Sequence, residues 1–385
     1  MIGGNLIAEG GYGCIYYPSL NEFGEEEINN NFVSKIQVIN ENALNEIHIG
    51  TIIKNINGYL NHFAPVIDNN SLNKINVSYN KFNKCSVIKS KKKNDKLTIL
   101  KMDYIDGTTF DQHIIDEKNN KELTFNIINS FVHLTKAISI LIQNKLVHFD
   151  LKEDNIMFNK KRKVPILIDF GLTRKFNNIE NLSQNLDALK QYFYIFAPQY
   201  YIWSIEIHFL SYLLNQNENI SNDEIINIVN QYIENNPIFS YLSPDFVIKY
   251  KLLCIQQLKY YNLFEKNTRI KKILTFWKTW DSYSLSIMFL RILCILNANN
   301  GFSKNIFTSF FSEILLNNIH PNPKKRYSID ETKFKFSKFL YDKNINNIIN
   351  FKEVVKLFQK NKKSINKKLK INKKRYKTLN KLVKK

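Results

Sequence analysis

Val147-His148-Phe149-Asp150-Leu151-Lys152-Glu153-Asp154-Asn155-Ile156 is followed, with Asp169 fourteen residues after Asn155, by Leu167-Ile168-Asp169-Phe170-Gly171. The first stretch trails a long apolar segment, 123–144, that reads as a helix, and the second ends a short apolar strand over 164–170. A carboxylate that leaves a strand and precedes a glycine suits a divalent cation, because Mg²⁺ prefers hard oxygen ligands. Asn155 and Asp169 can both supply such oxygens. Asp150 is then free to take a proton from an attacking hydroxyl, and Lys152 to neutralise charge on a group in transfer.

Working back toward the N-terminus, Ile7-Ala8-Glu9-Gly10-Gly11-Tyr12-Gly13-Cys14-Ile15 places three glycines between two short strands. Glycine lets backbone N–H groups approach phosphate closely, although a glycine turn alone is usually a plain hairpin. Phe32–Gln37 alternates as a strand and carries Lys35. Residues 41–56 have near-helical spacing of Leu44, Ile47, Ile49, Ile52, Ile53 and Ile56. Another strand is expected over 97–104, and mainly helices follow from about Gln184, including Trp280–Leu296. No repeat of 20–50 residues is visible.

In this order and spacing the segments resemble the signature set of eukaryotic-type serine/threonine protein kinases: a Gly-rich loop, a strand Lys, a helix Glu, His-x-Asp-Leu-Lys-x-x-Asn and Asp-Phe-Gly. Three later segments extend the likeness over about residues 5–340: Ile202–Glu206 at the place of Ala-Pro-Glu, Trp280–Leu285, and His320–Arg326. The wording Gly10–Pro18, with Asn45–Gly50 and Gln199–Trp203, is similar to kinases of large nucleocytoplasmic DNA viruses. The resemblance implies an α+β, two-lobed fold: a strand-rich N-lobe (1–105), a helical C-lobe (106–350) with a helical insertion at about 207–275, and ATP in the cleft.

It also implies roles. Ile7, Ala8, Glu9, Gly10, Gly11, Tyr12, Gly13, Cys14 and Ile15 would cover the ATP phosphates. Lys35 would hold the α/β-phosphates and pair with Glu46, with Glu41 as the alternative. Met102 falls at the gatekeeper position, and Asp103 and Ile105 belong to the hinge that would bind adenine. Asp150 would be the base, with Lys152 beside it marking Ser/Thr as the acceptor. Asn155 and Asp169 would hold Mg²⁺, or Mn²⁺ in its place, and Glu206 would pair with Arg326. Three positions depart from the family pattern: Ala8 replaces the first loop Gly, Phe149 replaces the Arg before the catalytic Asp, and Glu206 lacks the preceding Ala-Pro. The missing Arg suggests a kinase not switched by a phosphate gripped there.

Composition bounds the rivals. The chain has 385 residues with 44% apolar and 23% charged residues, so it is globular in bulk. Residues 354–385 carry 14 Lys/Arg and no Asp/Glu, which leaves +7 of the net +21 for the rest. That tail could contact nucleic acid or an anionic surface through its charge, or act as a nuclear signal. The rival functions are a pseudokinase scaffold and a nucleic-acid or virion-core binder acting through the tail. Cys14, Cys85, Cys254 and Cys294 are widely spaced, without a zinc pattern. They read as free thiols, with Cys14 in a packing role, in a reducing compartment. Cytoplasm is therefore expected, either host cytoplasm or virion if the origin is viral. No transmembrane segment is expected, since no run of 18 apolar residues occurs. The sequence gives no oligomeric state.

Overall fold

The computed structural model describes residues 5–10, 13–72, 84–86, 96–300 and 306–341. Gly11, Tyr12 and the basic 354–385 tail lie outside the described residues. The chain divides into two compact units, one of residues 5–113 with 154–173 and one of residues 114–153 with 174–341.

The first unit is built on a five-stranded antiparallel sheet of β1 (Asn5–Glu9), β2 (Gly13–Tyr17), β3 (Phe32–Val38), β4 (Val66–Leu72) and β5 (Leu97–Asp103). The spatial order is β1-β2-β3-β5-β4. Strand β4 has no counterpart in the sequence reading, because Asp68-Asn69-Asn70-Ser71 breaks the apolar alternation. The period-2 rule divides the side chains between two faces. Cys14, Tyr16, Ile36, Leu97 and Ile99 bury one face, while Val33, Leu100 and Met102 pack with Ile15, Tyr17 and Ile47 on the other. Gly13 lies where β2 passes close to the β3 backbone. A Cβ there would lie 2.3 Å from the Ile36 carbonyl oxygen, so no larger residue fits without moving the strand.

One expectation about the cysteines is corrected. Cys14 and Cys85 are not free thiols: they form a disulfide across a separation of 71 residues. Widely spaced cysteines give no pairing signal in a sequence, and only the fold brings these two together. Cys254 and Cys294 are free.

Helix α1 (Glu41–Lys54) starts at Asn40, whose side chain accepts from the Ala43 N–H at 2.9 Å. Its buried face is Ala43, Glu46, Ile49, Gly50 and Ile53. Leu44, part of the apolar pattern in the sequence, is 58% exposed. The helix is thus turned to bury a carboxylate rather than that leucine. At Gly50 a Cβ would meet the Val66 carbonyl oxygen at 2.4 Å, so the helix lies directly on β4. A second antiparallel sheet joins Gly107–Thr109, Ile156–Asn159 and Val164–Leu167. The last of these strands is shorter than 164–170 because Asp169 turns to φ 58° and cannot continue extended backbone.

The second unit is helical. Asn120–Gln143 and Trp280–Asn300 are its long core helices. Their segments Glu122–Gln143 and Trp277–Leu296 are long and apolar enough to cross a membrane, but both are 78% buried inside the fold, as core helices are. Phe131 packs against Phe289, Phe311 and Phe336 with centroids 4.8–5.3 Å apart. Within the stretch 207–275 lie the end of Ile205–Asn215 and the helices Asn222–Asn235, Pro244–Asn262 and Lys266–Leu274. Ser221 and Glu224 form a capping box on the second of these.

His208, on the first of these helices, is fully buried beside Trp203 and Tyr232. Burial pulls its imidazole down to about 3, against weaker support from the Trp203 and Tyr200 backbone. The folded state therefore binds the proton less well than the unfolded chain, and stability falls as pH drops below the unfolded value of about 6.5. By pH 5 the loss should be on the order of 2 kcal/mol. Denaturant unfolding at pH 7 and pH 5 checks it. His208→Gln should remove this part of the pH slope, and an unchanged slope would refute it.

Candidate active site

The first unit carries an ion triad. Lys35 is central in β3, opposite Ile15 on β2 and Leu100 on β5. Its Nζ lies 2.9 Å from Glu46 Oε2 and 3.3 Å from Asp169 Oδ1. Gln37 Nε2 adds a longer contact to Glu46 at 3.5 Å. Glu41, at the first turn of α1, is exposed and makes no contact to Lys35 among those described. Burial opposes the Lys35 charge, but the Glu46 and Asp169 carboxylates outweigh it and hold the ammonium above its ordinary value. Breaking such a buried pair leaves an uncompensated charge, which is why its members must stay together.

Asp169 is held in its left-handed conformation by its surroundings. Its Oδ1 accepts from Lys35 Nζ and, at 3.4 Å, from the Gly171 N–H. Asn45 on α1 donates through Nδ2 to the Gly171 and Thr173 carbonyls at 2.9 Å each, fixing the stretch that follows. Asn155 is tied to the same place, since its carbonyl accepts from the Ile168 N–H at 3.0 Å. Two hard-oxygen side chains, Asn155 and Asp169, therefore sit on hydrogen-bonded neighbouring backbone, a donor set that fits Mg²⁺.

The glycine turn joins β1 and β2, with the Gly10 N–H donating to the Gly13 carbonyl at 2.9 Å. Ala8 lies in β1, paired with Ile15, at a position whose φ is not positive, so the missing glycine is no steric problem. Met102 and Asp103 end β5, and Ile105 is buried in a separate cluster with Ala64, Val164 and Ile166. Burial pushes the Asp103 carboxyl up to about 6 against the nearby Arg162 guanidinium.

The second unit carries Asp150 and Lys152. Lys152 Nζ lies 3.1 Å from Asp150 Oδ1. The Tyr200 hydroxyl donates to Asp150 Oδ1 and lies 3.5 Å from Lys152 Nζ. The loop is anchored from below: Asp281 accepts from the His148 and Phe149 N–H groups at 2.7 and 3.1 Å. Burial raises the Asp281 carboxyl, with the two N–H groups opposing. Phe149 sits at φ 67°, a strained conformation for an aromatic residue. The Asp281 bonds and a 2.7 Å bond from Trp203 Nε1 to its carbonyl fix it there. Its ring packs on Phe193, Trp203 and Trp280 at 5.3–5.6 Å, an apolar nest in place of the family's Arg. Glu153 binds Arg291 Nη1 at 2.8 Å. Farther off, Arg326 grips Glu206 through both terminal nitrogens at 2.6 and 2.9 Å.

The structure thus joins Lys35, Glu46, Asp169 and Asn155 in one unit, and Asp150 with Lys152 in the other. Tyr200 and Arg291 carry no role that the sequence alone predicts. Their contacts close over 50 and 138 residues and leave no local spacing to read.

A family model described as "Protein kinase domain" matches residues 72–335. The chain belongs to the protein kinase domain family. The match begins after the glycine turn, Lys35 and Glu46, so the sheet geometry is what supports those positions. The chain is 29% identical over 180 residues to "Probable serine/threonine-protein kinase mkcE" of Dictyostelium discoideum, covering 43% of this chain and 24% of that protein. It is 29% identical over 105 residues to "Receptor-like serine/threonine-protein kinase SD1-8" of Arabidopsis thaliana, covering 26% and 12%. The matches therefore span about a quarter and about an eighth of these two relatives.

Proposed function

We propose that the protein transfers the γ-phosphoryl group of ATP to Ser/Thr hydroxyls of protein substrates. The observation that carries this reading is the buried Lys35–Glu46 pair with the part-exposed Asp169 on the same ammonium, and Asn155 backbone-bonded beside it. Lys35 holds nucleotide phosphates, and the Glu46 pair fixes its direction. Asn155 and Asp169 hold the divalent cation, which neutralises charge on the phosphates when bound. Asp150 accepts the acceptor hydroxyl's proton, and Lys152 beside it stabilises transferred charge. The family and the relatives' names support the kinase class, and Asp150-Leu151-Lys152 supports Ser/Thr. The complete triad argues against a pseudokinase. The apolar nest around Phe149 supports activity that needs no phosphate gripped at that position. A viral origin rests on sequence wording, and nuclear placement and nucleic-acid or anionic-surface binding rest on the charge of the tail; cytoplasmic placement rests on free thiols, of which Cys254 and Cys294 remain; each is a separate proposal.

The test is radiolabelled γ-phosphate transfer to casein and basic protein with Mg²⁺, followed by acid hydrolysis to identify the labelled residue. Wild type should label Ser/Thr, and Asp169→Ala should lose at least about 10²-fold, as expected on losing a metal ligand's charge stabilisation. Nucleotide binding without transfer would move the reading to a pseudokinase.

A further inference from the structure

The Gly-rich hairpin is gripped at its tip from outside the sheet. Glu9 and Cys14 are the last paired residues of β1 and β2 before the turn. Cys85 is bonded to Cys14, and the adjacent Ser86 donates its N–H to Glu9 Oε1 at 2.9 Å, with its hydroxyl on the same oxygen. Two consecutive residues, Cys85 and Ser86, thus clasp both strands at one rung. The sulfurs are buried against Tyr16, Leu20, Ile36, Leu72 and Leu97, while Lys84 and Ser86 on either side of Cys85 are exposed. The solvent-facing approach to the buried sulfurs is therefore on the side of 84–86. Glu9, Cys14 and Cys85 have the spacing of metal ligands, but the two sulfurs are spent on each other and Glu9 Oε1 is engaged by Ser86.

We propose that Cys14 and Cys85 form a reversible thiol–disulfide clasp that sets how freely the glycine-rich hairpin moves. That this movement changes nucleotide affinity rests on the function proposed above. In reduction, a thiolate of an external dithiol attacks one sulfur, and the Cys14–Cys85 bond breaks as a mixed disulfide forms. The second thiol of the reductant then displaces the remaining protein sulfur. Both cysteines end as thiols, and the dithiol leaves as a disulfide that carries away two electrons fewer. A protein disulfide runs the cycle backward. Oxidised, the Glu9–Cys14 rung that carries the glycine turn is tied covalently to 84–86. Reduced, the covalent link from 84–86 to β2 is gone, the Glu9–Ser86 hydrogen bonds and the packing of Cys85 remain, and ordering the hairpin counts against binding.

The experiment equilibrates the full chain in dithiothreitol buffers of graded redox ratio. It reads thiol alkylation by mass spectrometry, amide exchange of residues 5–17, and affinity for a fluorescent ATP analogue. The expected result is a reversible Cys14–Cys85 crosslink, with Cys254 and Cys294 unlinked. Reduction should speed exchange in β1 and β2 and weaken the analogue by about tenfold. Cys85→Ser should match the reduced form and ignore the buffer. Alkylation of both cysteines at every redox ratio overturns the proposal, as does equal exchange in both forms. Faster exchange with no analogue bound in either form upholds the clasp and removes the nucleotide reading instead.

Discussion

Asp150→Asn is expected to lower phosphoryl transfer by about 10²–10⁴-fold, the range general-base catalysis supplies, while leaving the fold intact. The side chain keeps its shape, and its amide can still accept from Tyr200. What it loses is the charge that takes the hydroxyl proton. The ion pair with Lys152 is partly open to solvent, with side chains 29% and 11% exposed, so it contributes less than about 1 kcal/mol to stability. The measurement is the single-turnover transfer rate beside a denaturation curve. A slow variant with wild-type unfolding places Asp150 at the chemistry. A variant that transfers normally removes it from the mechanism, and one that unfolds early makes it structural.

Arg326→Met should have the opposite signature, a large stability loss of about 3–5 kcal/mol from breaking a buried pair. Glu206 is completely buried, and both of its oxygens are met by Arg326. Methionine fills most of the volume but leaves the carboxylate without a partner in a dry interior. Burial works against the Arg326 charge, and Glu206 outweighs it, holding the guanidinium above its ordinary value. Arg326 also binds the His320 carbonyl at 2.8 Å and Thr279 Oγ1 at 3.2 Å, which ties the helix starting at Ile205 to two later segments. The double variant Glu206→Leu with Arg326→Met should recover much of the loss, because removing both charges leaves nothing unpaired. Chemical denaturation of the three variants reads this directly, and equal stability of single and double variants would refute it.

These two sites show how differently positions can be read. Asp150, Lys152, Asn155 and Asp169 stand out in the chain because a polar cluster and a strand-terminal Asp-Phe-Gly are local patterns. Lys35 is legible as a strand residue, but its choice of Glu46 over Glu41 depends on how α1 is rotated on the sheet. Apolar periodicity misjudges that rotation, since Leu44 faces solvent and Glu46 the core. The partner of Phe149 is not legible at all. The sequence shows that an Arg is missing there, and the fold shows that Phe193, Trp203 and Trp280 fill the place with rings.

By itself, the sequence determined the strands around the glycine turn, β3, α1 and β5 but not β4, the kinase-like motif set and the concentration of charge in the 354–385 tail. Those properties are carried by neighbours along the chain, where periodicity and turn chemistry operate. Tertiary structure alone decided that residues 154–173 join the strand-rich unit, that Cys14 reaches Cys85, and that the Tyr200 hydroxyl lies on Asp150. Each of these links residues far apart in the chain, and such contacts form only when burial of the apolar faces has fixed where the elements pack.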